Sequence, residues 1–240
     1  KDEADAARTE VGRRLLRTAE TDKAVETAEG SSDSVWTTGS AVIELPSSTV
    51  APEPTGVPGI DDAIPFCAAW AVYSGSVQSI GIANAFGGLS SLEIARLEVI
   101  AAASLVESVG GIGSNWPGEL VGERSVVLTD LVGPFDRRAQ KAVTALRDAG
   151  MTDDELTELT VIWMTALRER TAEDPVIAVP PLRDDLAAKV DAAAAAFDAA
   201  ATPFGDDPSL IVESVETPLT DAYLSATCPD LASSGVGDAI

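Results

Sequence analysis

The stretch 64-IPFCAAWAVYSGSVQSI-80 decides the fold. Its large apolar residues, Phe66, Trp70, Tyr73, Val77 and Ile80, fall three and four apart. That spacing is one face of a helix, whereas a strand would place them at every second position. The pair Gly87-Gly88 ends the run. No residue from Ala63 to Leu92 is charged, so the helix reads as buried. A membrane span needs about 20 mostly apolar residues. The serines, glycines, Gln78 and Asn84 of this stretch argue against one.

Working outward, the same period recurs. Ser90 or Ser91 can cap a helix through "LEIARLEVIAAASLVESV", with Glu93 answering the positive end of the dipole. Gly110-Gly111 is expected to stop it. "GIGSNWPGE" reads as a loop in which Trp116 is the aromatic most open to solvent. A weaker helix, interrupted by Gly122, is expected from Pro117, and "FDRRAQKAVTALRDAG" follows, closed by Gly150. Thr152 and Glu155 then form a capping box for "TDDELTELTVIWMTALRERT". Leu156, Leu159, Ile162, Trp163 and Leu167 make its apolar face. Further helices are predicted over 182–201 and 208–227. Pro218 kinks the latter or divides it in two. The class is all-α: an irregular bundle of about seven helices over residues 60–232, with 233–240 a flexible tail.

Two segments precede the bundle. Residues 1–29 form a charged, helix-prone arm whose apolar positions are sparse, chiefly Val11, Leu15 and Leu16. A short amphipathic segment of this kind needs a surface to pack on. Residues 30–59 have linker composition, rich in Ser, Thr, Pro and Gly. Within it "AVIEL" (41–45) is a candidate short strand, with Val42, Ile43 and Leu45 apolar and Trp36 nearby. These seven side chains are the candidate partner-binding residues. The strand either docks on its own domain or adds to the sheet edge of a neighbour.

Charge narrows the choice of partners. The chain has 39 acids, 16 bases and no histidine, a net charge of −23. From Asp191 onward there are nine acids and no base. Nucleic acid and anionic membranes are poor partners for such a surface. Proteins with basic patches or cations suit it better, and the charge also serves solubility and mutual repulsion. "GRRLLR" (12–17) has the arginine pair of an export signal, but no apolar core follows it. The sequence leaves room for a lipid anchor upstream of Lys1.

The two cysteines, Cys67 and Cys228, bracket the bundle with none between them. One reading is an end-to-end disulfide, which persists in oxidising compartments. The other is two buried, unrelated thiols in a cytosolic protein. Cys67 is not a lipid attachment site, because the preceding "IPF" lacks the required small residue. The ends of the bundle, "CAAW" and "AYLSATC", resemble those of secreted or lipid-anchored, alanine-rich helical proteins of actinobacteria. Many of these open with Cys–small–small–aromatic and close with an aromatic, a few residues and Cys. Over about 60–232 the resemblance implies a fold type and an extracytoplasmic location, not an activity.

Motifs for chemistry are scarce. Without histidine there is no Ser-His-Asp triad and no histidine metal site. No phosphate- or dinucleotide-binding loop is present, and no cofactor is expected. The acid pairs Asp61-Asp62, Asp153-Asp154, Asp184-Asp185 and Asp206-Asp207 each sit at a predicted helix start, where they answer the dipole. No EF-hand loop accompanies them. The expectation is a non-enzymatic extracytoplasmic domain for assembly or partner binding, such as a subunit of a surface structure or filament. The alternative is a ligand carrier or a carboxylate-based hydrolase with a pocket between helices.

Overall fold

The computed structural model describes residues 56–170, 177, 179, 181–210 and 215–233. Among these the chain is all-α, with no strand. The helices are α1 (Pro65–Phe86), α2 (Ser91–Ser114), α3 (Gly133–Asp148), α4 (Asp153–Glu169), α5 (Asp184–Ala200), α6 (Pro218–Thr227) and α7 (Pro229–Ser233). The arm, the linker through residue 55, the segment 211–214 and the tail from 234 lie outside the described residues.

The hub of the bundle is α2. Helices α1, α3, α4 and α5 all pack against it, and α3 packs against α5. By length and composition α2 is apolar enough to cross a membrane. Its place among four other helices accounts for that composition. Ser90 is the cap: its hydroxyl accepts from the Glu93 N–H, and the Glu93 carboxylate accepts from the Ser90 N–H at 2.7 Å.

On α1, Phe66, Trp70, Tyr73 and Ile80 are buried as the spacing predicts, and Val77 is half-buried. Burial extends further round the helix than one face. Ser74, Ser76 and Ser79 are buried too, and each hydroxyl donates to a carbonyl one turn back. This internal bonding is how a serine-rich helix can be enclosed. Ser76 also accepts from the Trp163 indole at 2.8 Å, which ties α4 to α1. The Thr152–Glu155 capping box of α4 is formed as expected.

Three expectations are corrected and one is decided. Gly110-Gly111 does not stop α2, which runs on to Ser114. A Cβ at Gly111 would lie 3.0 Å from the Ala69 Cβ, so this glycine serves the close approach of α1 and α2. The expected helix from Pro117 is instead a 3-10 turn (Gly118–Leu120), one α turn (Arg124–Val126) and a π turn (Val127–Leu131). The 208–227 segment divides, the second of the two outcomes expected for Pro218: Pro208–Leu210 is a 3-10 turn, and α6 starts at Pro218, in the first-turn position that proline tolerates. Finally, the folded unit begins at Gly56 rather than residue 60. The N–H groups of Gly56 and Val57 donate to the Arg170 and Leu167 carbonyls at the end of α4, at 2.8 and 3.0 Å. Val57 and Ile60 are buried in the core. Four residues of the compositional linker therefore belong to the bundle.

Candidate functional site

Two features stand out: the junction of the two ends of the bundle and a buried charge cluster beside a cavity. At the junction, Cys67 in the first turn of α1 is bonded to Cys228 at the end of α6. The Cα atoms are 5.6 Å apart and both residues are fully buried. The local chain delivers them there. Phe66 meets Tyr223 and Trp116 edge-on, with ring centroids 5.7 and 5.6 Å away. Trp116 is therefore half-buried rather than open, and its Nε1 is buried without a hydrogen-bond partner.

Glu123 fixes the start of α6. Its carboxylate accepts from the Leu219 and Thr220 N–H groups at 2.9 and 2.8 Å, and from the Thr220 hydroxyl at 2.8 Å. A carboxylate on exposed helix N–H groups is a favourable pairing of charge with dipole. Desolvation works against the charged form, and the three hydrogen bonds outweigh it, leaving the Glu123 carboxyl below its ordinary value.

The second feature was not singled out from the sequence. Glu98 on α2 and Arg138 on α3 are 6% and 8% exposed and form a two-pronged ion pair. Arg138 Nη2 donates to Glu98 Oε2 at 2.9 Å, and Nε donates to Oε1. Nη1 donates to the Thr202 carbonyl at 2.9 Å and to Asp207 Oδ2 at 3.0 Å. The guanidinium also lies 5.2 Å from the Phe197 ring centroid and 5.7 Å from that of Phe204. One arginine thus joins α2, α3, α5 and the segment after α5.

Burial pushes the Glu98 carboxyl above its ordinary value, with Arg138 pulling the other way. Burial works against the Arg138 charge, but the Glu98 and Asp207 carboxylates more than offset it and hold the guanidinium protonated. For Asp207, desolvation opposes the charge, while hydrogen bonds from Ser209 and the proximity of Arg138 prevail and lower its pKa.

A cavity of about 120 Å³ opens beside this cluster. Glu98, Arg138 and Asp198 contribute charge to its wall, and Ile94, Phe197 and Phe204 contribute apolar surface. Asn84 and Ser91 stand at it from α1 and α2.

The other sequence candidates divide. Asp153, Asp154, Asp184 and Asp185 lie in the first turns of α4 and α5, as the dipole argument expects. Asp62 accepts from the Ile64 N–H at the start of α1, and Asp61 pairs with Arg168 at 2.8 Å. Asp207 serves Arg138 instead of an α-helix start. Among the described residues no group of three or more acids or cysteines is placed to hold a metal. Val11, Leu15, Leu16, Trp36, Val42, Ile43 and Leu45 all lie outside the described residues.

Glu98 and Arg138 did leave a signal. Glu98 is three and four residues from Ala95, Ile94 and Ala102, on the apolar stripe of α2. Arg138 is three and four from Phe135 and Ala142, on that of α3. A charge on a core stripe must find a partner.

The fold and site define a disulfide-closed helical bundle with a charged cluster beside a small cavity. Comparison with protein-family models, curated proteins and solved structures finds no match to this chain.

Proposed function

We propose that the protein works outside the cytosol as a non-enzymatic helical domain for assembly or partner binding, for example as a subunit of a surface structure or filament. The Cys67–Cys228 disulfide carries this reading, because such bonds persist in oxidising compartments and are rare where thiols are kept reduced. The resemblance of "CAAW" and "AYLSATC" to secreted and lipid-anchored actinobacterial proteins supports the same location. The arm and linker supply the partner-binding residues Val11, Leu15, Leu16, Trp36, Val42, Ile43 and Leu45. The acidic surface disfavours nucleic acid and suits a protein partner with a basic patch, so self-assembly would rest on the arm and linker. The test is truncation before Gly56, which spares the hydrogen bonds of Gly56 and Val57 to the end of α4. Light scattering should show the full chain in a higher oligomeric state than the truncated one. Equal states, with partner capture also unchanged, would remove the arm from the account.

A second reading, an extracytoplasmic ligand carrier, is favoured by the cavity beside Glu98 and Arg138. It predicts a rise in melting temperature with a small molecule that fits, since a ligand stabilises the state it binds.

A further inference from the structure

We infer that the cavity between α1, α2 and α5 is a binding site for a small organic cation: an ammonium group on a short apolar chain. The inference rests on the ligand-carrier reading and names the class of ligand.

Size sets the first limit. The cavity is about 120 Å³. A cavity of about 150 Å³ in another protein admits benzene, so a ligand of about four to six heavy atoms fits here. Charge sets the second. The wall holds two carboxylates, Glu98 and Asp198, against one guanidinium. Arg138 has little left for an anion, since four of its five N–H groups are already committed. Its Nε and one Nη2 hydrogen are committed to Glu98, and Nη1 is committed to Thr202 and Asp207. Glu98 keeps acceptor capacity, because each carboxylate oxygen has two lone pairs and Arg138 takes one on each. The side chain of Asp198, half-buried on α5, forms no hydrogen bond or ion pair within the described residues, and its charge is felt at Glu98.

The chemistry of the remaining wall separates an organic cation from a metal. A calcium ion takes six to eight oxygens, and no group of three acids is gathered among the described residues. Phe197 and Phe204 instead offer aromatic surface, which already stabilises one cation, that of Arg138. Ile94 extends the apolar wall for a short alkyl chain. An ammonium head at Glu98 and Asp198 with its chain against Ile94 and Phe204 uses both halves of the cavity.

The test compares n-butylammonium, 1-butanol and butanoate as probes on the full chain at low salt, by calorimetry and thermal shift. The expected result is a rise in melting temperature with n-butylammonium and none with butanoate. In Asp198→Asn, which keeps the shape of the wall, n-butylammonium should bind at least about tenfold more weakly, the effect of removing a nearby charge. If 1-butanol binds as well as n-butylammonium, the cation inference is overturned while the ligand-carrier reading stands. Undiminished binding of n-butylammonium to Asp198→Asn overturns the placement and with it the inference. If no probe at millimolar concentration binds, both the inference and the carrier reading fall.

Discussion

Replacing Arg138 by Met should be among the most damaging single substitutions in the bundle. The change removes four hydrogen bonds from the guanidinium: two to Glu98, one to Thr202 and one to Asp207. Asp207 has some access to solvent and can recover hydration. Glu98, 6% exposed, cannot. A buried ion pair stripped of one partner typically costs about 3–5 kcal/mol, because the other charge is left uncompensated. The lost cation–aromatic contacts with Phe197 and Phe204 are partly replaced by the Met sulfur, a difference of about 0.5–1 kcal/mol. For a domain of this size each kcal/mol moves the melting temperature by about 2–4 °C, so a fall of roughly 10 °C is expected. Urea unfolding followed by tryptophan fluorescence reads this directly, since Trp70 and Trp163 are buried and change environment on unfolding. The double substitution Arg138→Met with Glu98→Leu should regain most of the loss, as paired charges replaced by apolar groups often cost little. The deficit of the single variant should also shrink toward acid pH. Burial already raises the Glu98 carboxyl, and without Arg138 it rises further, so protonation removes the stranded charge. A loss below about 1 kcal/mol for Arg138→Met, or a double variant worse than the single, would refute the reasoning.

The remaining predictions concern other joints of the fold. Cys67→Ser with Cys228→Ser opens a crosslink spanning 161 residues, and the chain-entropy model puts the loss at about 5 kcal/mol, measurable by denaturant titration; a loss under about 1 kcal/mol would contradict that model here. The Glu155 carboxyl is held down to about 2 by Lys189 and then by its cap to Thr152. Its contribution is therefore full above its ordinary value of 4.5 and is lost as pH falls through about 2, so the stability gap between wild type and Glu155→Gln should close over that window. Gly75→Ala would place a Cβ 2.7 and 2.8 Å from the two methyls of Val57. Overpacking of this kind costs about 1–3 kcal/mol. Combining it with Val57→Ala should cost less than the sum of the single changes, a non-additivity that a double-mutant cycle detects.

How much of this was legible depended on whether the cause was local. Helices α1 and α4 could be read from the sequence, because their apolar spacing and the Thr152–Glu155 box act within a few residues. The cap of α2 was legible, for the same reason, as Ser90 or Ser91, and the structure decides for Ser90. Gly111 misled because its role is tertiary: it faces Ala69 of α1 instead of ending α2. Trp116 misled likewise, since a loop position said nothing of Phe66 waiting beside it. The boundary at residue 60 fell a few residues late because Val57 sits among Pro and Gly, and only its contacts with the bundle bring it into the core. Glu98 and Arg138 were half-legible. Each stands on an apolar stripe, but they lie 40 residues apart, and the packing of α2 on α3 joins them. The cysteine pair was readable as a closure, while the choice between bond and free thiols needed the 5.6 Å approach of their Cα atoms.

The most direct test of the central claim is the intact mass of the protein from its natural source after thiol alkylation under unfolding conditions, without and with reductant. Unfolding is required because Cys67 and Cys228 are fully buried. The account predicts no added label without reductant and labels on both cysteines after it, the result of a disulfide kept in an oxidising compartment. Labelling of both thiols without reductant would contradict it, removing the bond in its natural setting and the extracytoplasmic reading that depends on it.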